Sequence, residues 1–371
     1  MKRNDFLFLA TAEKEPRSGF FILVILACFL PAGGQSVTVT LPSGSGPAAL
    51  AINPATNKIY VANSNGSTLT VIDGSTNSTS TISVGTHPYA VAVNQKTNKI
   101  YVANLDSDNV TVIDGTTNHT DTVVAGHFPD AVAVNPATNK VYVANGGSST
   151  VTVIDGTTNG STTVDVGGQP RAVAVNEVTN RIYVANGHSD SVSVIDGATS
   201  HTTTVKVGTN PITVVVNPAT NKVYVANNHM EKHTDNTVTV IDGVTNSAVT
   251  VEVGREPVAL AVNPVTNKIY VTNTHSNDVT IIDGATNRTS SVEAGADPFA
   301  VAVNSVTNRI YVANQFGNNV MVIDGYTKKS STLSVGTHPQ ALAVNQKTNK
   351  AYVVNYDGNT VTVIDGARSS K

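Results

Sequence analysis

Side chains able to do chemistry collect at one recurring place in this chain, on either side of a proline that returns about every 41 residues. The residue before it reads Gly46, His87, Phe128, Gln169, Asn210, Glu256, Asp297 and His338. The residue after it reads Ala48, Tyr89, Asp130, Arg171, Ile212, Val258, Phe299 and Gln340. Imidazoles and carboxylates of this kind can exchange protons, arginine can grip an anion, and the aromatic rings offer stacking faces. The candidate ligand-binding set is therefore His87, Tyr89, Phe128, Asp130, Gln169, Arg171, Asn210, Glu256, Asp297, Phe299, His338 and Gln340. No residue is given a catalytic role, because no Gly-x-Ser-x-Gly, His-Glu-x-x-His or phosphate-loop motif occurs.

Two other groups invite a metal reading. His229 and His233, with Glu231 and Asp235 nearby, could supply imidazole and carboxylate to zinc or copper. They form a single pair without a fixed scaffold, and an exposed polar loop is the simpler reading. Asp106 and Asp108 hint at calcium, but their spacing fits no established calcium loop. No cofactor is expected.

The elements that position these groups follow from the repeat. The aspartates of Ile-Asp-Gly stand at 73, 114, 155, 196, 242, 283, 324 and 365, in steps of 41 with one step of 46. Each repeat reads as four short strands. Strand A is Ala-Val-Ala-Val (Ala90 to Val93), strand B Ile-Tyr-Val-Ala (Ile100 to Ala103), strand C Val-Thr-Val-Ile (Val110 to Ile113) and strand D Thr-Val-x-Val (Thr163 to Val166). Asn-Pro-x-Thr-Asn-Lys and Asp-Gly-x-Thr-Asn supply the turns. A fixed period with four strands predicts an all-β fold, an eight-bladed β-propeller of four-stranded antiparallel blades. Strand D follows strand C only seven times, and Val37 to Leu41 stand where the missing copy belongs. The N-terminal strand should complete the last blade and close the ring, leaving no open sheet edge.

Alternating strand direction sends the A–B and C–D turns to one end, called the bottom, and the B–C and D–A loops to the top. The bottom turns are nearly uniform, whereas the top loops differ from blade to blade. The proline-flanking residues should therefore rim the top mouth of the central channel. The five-residue insertion that carries His229 and His233 lengthens the top loop of the fifth repeat. The eight aspartates of Ile-Asp-Gly are turn chemistry, and the eight tyrosines from Tyr60 to Tyr352 should pack between blades with their hydroxyls satisfied locally.

Tyr270-Val271-Thr272-Asn273, with the variants Tyr60 to Asn63 and Tyr352 to Asn355, resembles the signature of the YVTN β-propeller repeat family. The resemblance covers residues 36–368, read as one propeller domain with a tail at 369–371. It implies a surface-layer-like or exported protein, mostly of a kind without assigned activity. Residues 1–35 read as a secretory signal peptide. Lys2, Arg3, Lys14 and Arg17 precede an apolar run from Phe20 to Leu30, too short to span a membrane, and small residues follow. Lipidation at Cys28 is the lesser alternative, so the protein is expected to be secreted, periplasmic or on the cell surface.

Net charge is −3 and no Lys/Arg cluster stands out in the repeats, which argues against nucleic acid. The only cysteine is Cys28, so no disulfide framework is expected in the repeats. The function expected is a non-catalytic exported binding scaffold, monomeric and without a transmembrane domain. Its top mouth would meet a protein, a polysaccharide or a small ligand. The alternatives are a channel-mouth enzyme, lactonase-like or redox/metal-dependent, and a structural unit of a surface layer.

Overall fold

The computed structural model describes residues 35–228 and 236–366. The expected signal segment with Cys28, the histidines His229 and His233, and the tail at 369–371 lie outside the described residues, save that Gln35 of the signal segment is described.

Eight four-stranded antiparallel sheets form the ring. In blade 2, strand A is Pro88–Asn94, strand B Lys99–Asn104, strand C Asn109–Asp114 and strand D Thr120–Val124. The closing strand Ser36–Pro42 pairs antiparallel with strand C of blade 8, Thr360–Asp365, as the repeat arithmetic requires. Strand D starts earlier than its valines suggest. In blade 3 it is Ser161–Asp165, and the Val166 N–H already bonds to the Ser149 carbonyl as the chain leaves the sheet.

Each seam between blades is an apolar layer. Tyr60, Leu69 and Ile82 of blade 1 pack with Ile100, Val102 and Ile113 of blade 2. The same layer recurs at the closing seam, where Leu41, Tyr352 and Val363 meet Ile59, Val61 and Ile72. The tyrosine hydroxyls depart from expectation. Those of Tyr60, Tyr101, Tyr142, Tyr224 and Tyr352 are buried without a hydrogen-bond partner among the described residues. Burial pushes each up to about 12. Each ring fills its seam, and at the closing seam the Tyr352 hydroxyl ends against the glycine that follows Ile-Asp in blade 1; a Cβ at Gly74 would lie 2.8 Å from the Tyr352 oxygen.

The bottom is stitched by side chains. The asparagine ending strand A of each blade donates to the asparagine of the next blade's A–B turn. These eight bonds, from Asn53→Asn98 to Asn345→Asn57, run round the ring at 2.7–2.9 Å. The accepting asparagines hold positive φ, which their short side chains tolerate. Seven of the Ile-Asp-Gly aspartates, from Asp73 to Asp324, accept two backbone N–H bonds within their own turns, as Asp73 does from Ser75 and Thr76, which is turn chemistry.

Candidate functional site

The structure places all twelve candidate mouth residues on the top, at the inner end of strand A, where strands A of successive blades pack side by side. Their backbone is unusual in two ways. The residue before proline has positive φ in every blade, from +47° at Asn210 to +60° at Gly46 and His338. Seven of these eight are not glycine, which costs energy in the left-handed region. The residue after proline is the extra residue of a β-bulge: the strand A–B register shifts between Pro129 and Ala131, and at the equivalent point in every blade. A bulge re-aims the side chain it carries, so Tyr89, Asp130, Arg171, Phe299 and Gln340 sit on bulges beside the left-handed corners.

Blade-to-blade contacts hold these corners by their backbone. Asp108 accepts from Phe128 N at 3.0 Å, Asp190 from Asn210 N at 2.8 Å, and Asn318 from His338 N at 2.9 Å. Asn236 and Asn277 serve Glu256 and Asp297 in the same way. Asp108 also pairs with His127 Nδ1 at 2.7 Å, and Asp106 with His87 Nδ1 at 3.1 Å. The two carboxylates that suggested calcium are thus engaged in corner-holding and histidine pairing.

The mouth divides into two charged sectors. In blades 2 to 4, Tyr89, Asp130 and Arg171 act on one another electrostatically. Burial pushes the Asp130 carboxyl up to about 6, and Arg171 offsets part of that rise. Gly146 leaves room for the carboxylate, since a Cβ there would collide with it. Arg171 donates to Gln169 Oε1 at 3.0 Å, while its Nε is buried with no acceptor among the described residues. In blades 6 to 8, burial, together with Glu256, raises Asp297, and His338 opposes the rise. His338 Nδ1 lies 2.7 Å from Asp357, with the rings of Phe316 and Tyr356 about it at 6.1 and 5.9 Å.

Phe316, Tyr356 and Asp357 are mouth-side residues that the proline-flanking pattern does not reveal. They sit in B–C loops, and the variation of those loops among blades was the signal for them. Among the described residues, no three His, Cys, Asp or Glu side chains group as metal ligands do, and no helix is long and apolar enough to cross a membrane.

Concave surface also occurs away from the top mouth. At the bottom end of the channel a cavity of about 530 Å³ is lined by Val93, Val134, Val175 and Val216 of four successive strands A. Another, of about 330 Å³, opens on the bottom between blades 6 and 7.

No family model matches the chain, and no curated protein matches it. Among solved structures it is similar to Kuenenia stuttgartiensis hydrazine synthase at 19% identity and a TM-score of 0.62, covering 88% of this chain and 96% of that one. At that identity the likeness speaks for architecture alone, and with the eight closed blades it makes this chain an eight-bladed β-propeller.

Proposed function

We propose that this chain is an exported, non-catalytic scaffold of the YVTN-repeat type whose top mouth binds a partner protein. The observation that carries the reading is Arg171. Its half-buried guanidinium sits on the rim beside Asp130 and Tyr89 and donates to Gln169 Oε1 at 3.0 Å. A guanidinium has more terminal N–H groups than that bond uses, and a carbonyl or carboxylate from a partner would engage them. The surrounding composition supports a protein partner. Tyr89, Phe128 and Phe316 are exposed, and aromatic residues with arginine are the types that dominate protein interfaces.

Photo-crosslinking tests this. A photoreactive residue at Phe316 or Tyr89 should give a discrete adduct on cells that produce the protein, and one at Val178 on the bottom should not. Adding Arg171→Ala should abolish the top adduct. Equal labelling from both faces, or no adduct from the top, would defeat the reading.

An enzyme reading draws on one observation, a rim carboxyl raised into the range of a general acid or base. Hydrolysis of a simple lactone such as dihydrocoumarin, lost in Asp130→Asn, would displace the scaffold.

A further inference from the structure

The bottom face carries a second belt besides the asparagines. The first residue of strand B reaches across the seam to the carbonyl of the next blade's Asp-Gly turn. Lys58 donates to Gly115, Lys99 to Gly156, Lys140 to Gly197, Arg181 to Gly243, Lys222 to Gly284 and Lys350 to Gly74. Two blades break the rule. Lys268 turns to the Asp283 carboxylate of its own blade at 2.6 Å, and Arg309 lies 3.3 Å from its own Asp324. Gly325, the carbonyl that Lys268 would have taken, lines the cleft between blades 6 and 7.

The turns at these blades also leave the repeat. Where blades 1, 2 and 3 carry Asn77, Asn118 and Asn159 at the positive-φ corner, blade 7 carries Lys328. Ser78, His119, Gly160 and Ser247 give way to Arg288 and Lys329 in blades 6 and 7. The cleft of about 330 Å³ is bordered by Lys268, Arg288 and Lys328 and floored by the hydroxyls of Thr286, Thr289 and Ser290. A second, of about 280 Å³, lies beyond it with Arg309 and Lys329 above Thr327, Ser330 and Ser331. Tyr326, 76% exposed, stands on the same turn as Lys328 and Lys329.

We infer that this rim is a binding site for an acidic polysaccharide. Five cations stand against only two carboxylates, Asp283 and Asp324. They are spread over two successive clefts, which suits charges spaced along an extended chain better than one compact anion. Hydroxyl floors suit sugar hydroxyls, and an exposed aromatic beside cations suits a sugar ring carrying a carboxylate or sulfate. A nucleic acid would call for a larger basic stripe and several stacking rings. The site lies on the opposite face from the proposed protein-binding mouth and does not depend on it.

The test uses the full chain and immobilised polygalacturonate, heparin, neutral dextran and a single-stranded DNA oligonucleotide, at about 0.15 M salt. The wild type should bind polygalacturonate, heparin or both, which tells carboxylate from sulfate recognition, and should leave dextran and DNA. The variant Arg288→Ser, Lys328→Asn, Lys329→Ser gives these turns the residues other blades carry, so the fold is preserved. It should bind about tenfold or more weakly, while Arg171→Ala on the top binds as wild type does. Failure of the wild type to bind either acidic polymer, equal binding by the triple variant, or binding of DNA alone would overturn the inference.

Discussion

The two faces of the ring are closed by different means, and the difference decides where the chain is free to vary. On the bottom, asparagine side chains do the joining, so each must be present in every blade. On the top, an Asp or Asn of one blade takes the backbone N–H of the next blade's corner. The corner residue contributes only its main chain. It is therefore phenylalanine in one blade, glutamate in another and histidine in a third without loss of the contact. Diversity on the top and uniformity on the bottom are two consequences of the same economy. Where the bottom turns do vary, at Arg288, Lys328 and Lys329, Lys268 and Arg309 turn to carboxylates of their own blades and clefts lie beside them.

The largest effect should come from opening the ring, which removes the frame both faces share. Deleting Val37 to Leu41 strips blade 8 of its outer strand and uncovers Val361 and Val363, both fully buried. Loss of a strand with its seam contacts should cost about 5 kcal/mol or more. Urea unfolding with an unchanged midpoint would mean that the ring does not depend on its closure.

Next comes a direct trial of one face against the other. Asn135 is wholly buried; it donates to Asn180 and accepts from the backbone of Ala137 and Thr138. Asn135→Ala breaks all of these and should cost about 2–3 kcal/mol. Phe128→Ala on the top removes a half-exposed side chain and keeps the bond from its N–H to Asp108, so it should change stability by only about 0.5 kcal/mol. Comparable losses from the two substitutions would refute the division between the faces.

Much of the bottom and little of the top was legible in the amino-acid sequence. The Ile-Asp-Gly spacing counts eight blades, and the orphan strand at Val37 to Leu41 identifies the closure, because both depend on period alone. Proline marks the corners but says nothing of what meets there. Asp130 and Arg171 come together because a bulge in each blade aims them into the same mouth, and Phe316 reaches His338 from a different loop. The basic rim escaped for a related reason. Lys268, Arg288, Arg309 and Lys328 are scattered along the sequence, and only the stacking of blades gathers them. Nor could local sequence separate Lys58, which bridges, from Lys268, which does not, since both open the run Lys-Ile-Tyr-Val.

The smallest effect expected is the most specific to the top. A mouth built for contact rather than for stability should contain groups that weaken the fold, and Asp130 is the clearest. Its carboxyl, at about 6 in the folded ring, lies above the value of about 3.9 for an unfolded aspartate. Between those values the native state binds more protons than the unfolded one, so stability from this group is present at low pH and is lost as pH rises through about 4 to 6. Asp130→Asn removes the charge at nearly constant shape. At pH 7.5 it should stabilise by about 1 kcal/mol or less, because the group is partly exposed and solvent screens it. At about pH 3 and below, where the aspartate is neutral in both the folded and the unfolded chain, the two proteins should unfold together. Destabilisation at pH 7.5 would instead show that the attraction of Arg171 outweighs the cost of burial. The rim would then resemble the bottom, held by its side chains, and the contrast between the faces would lose its clearest case.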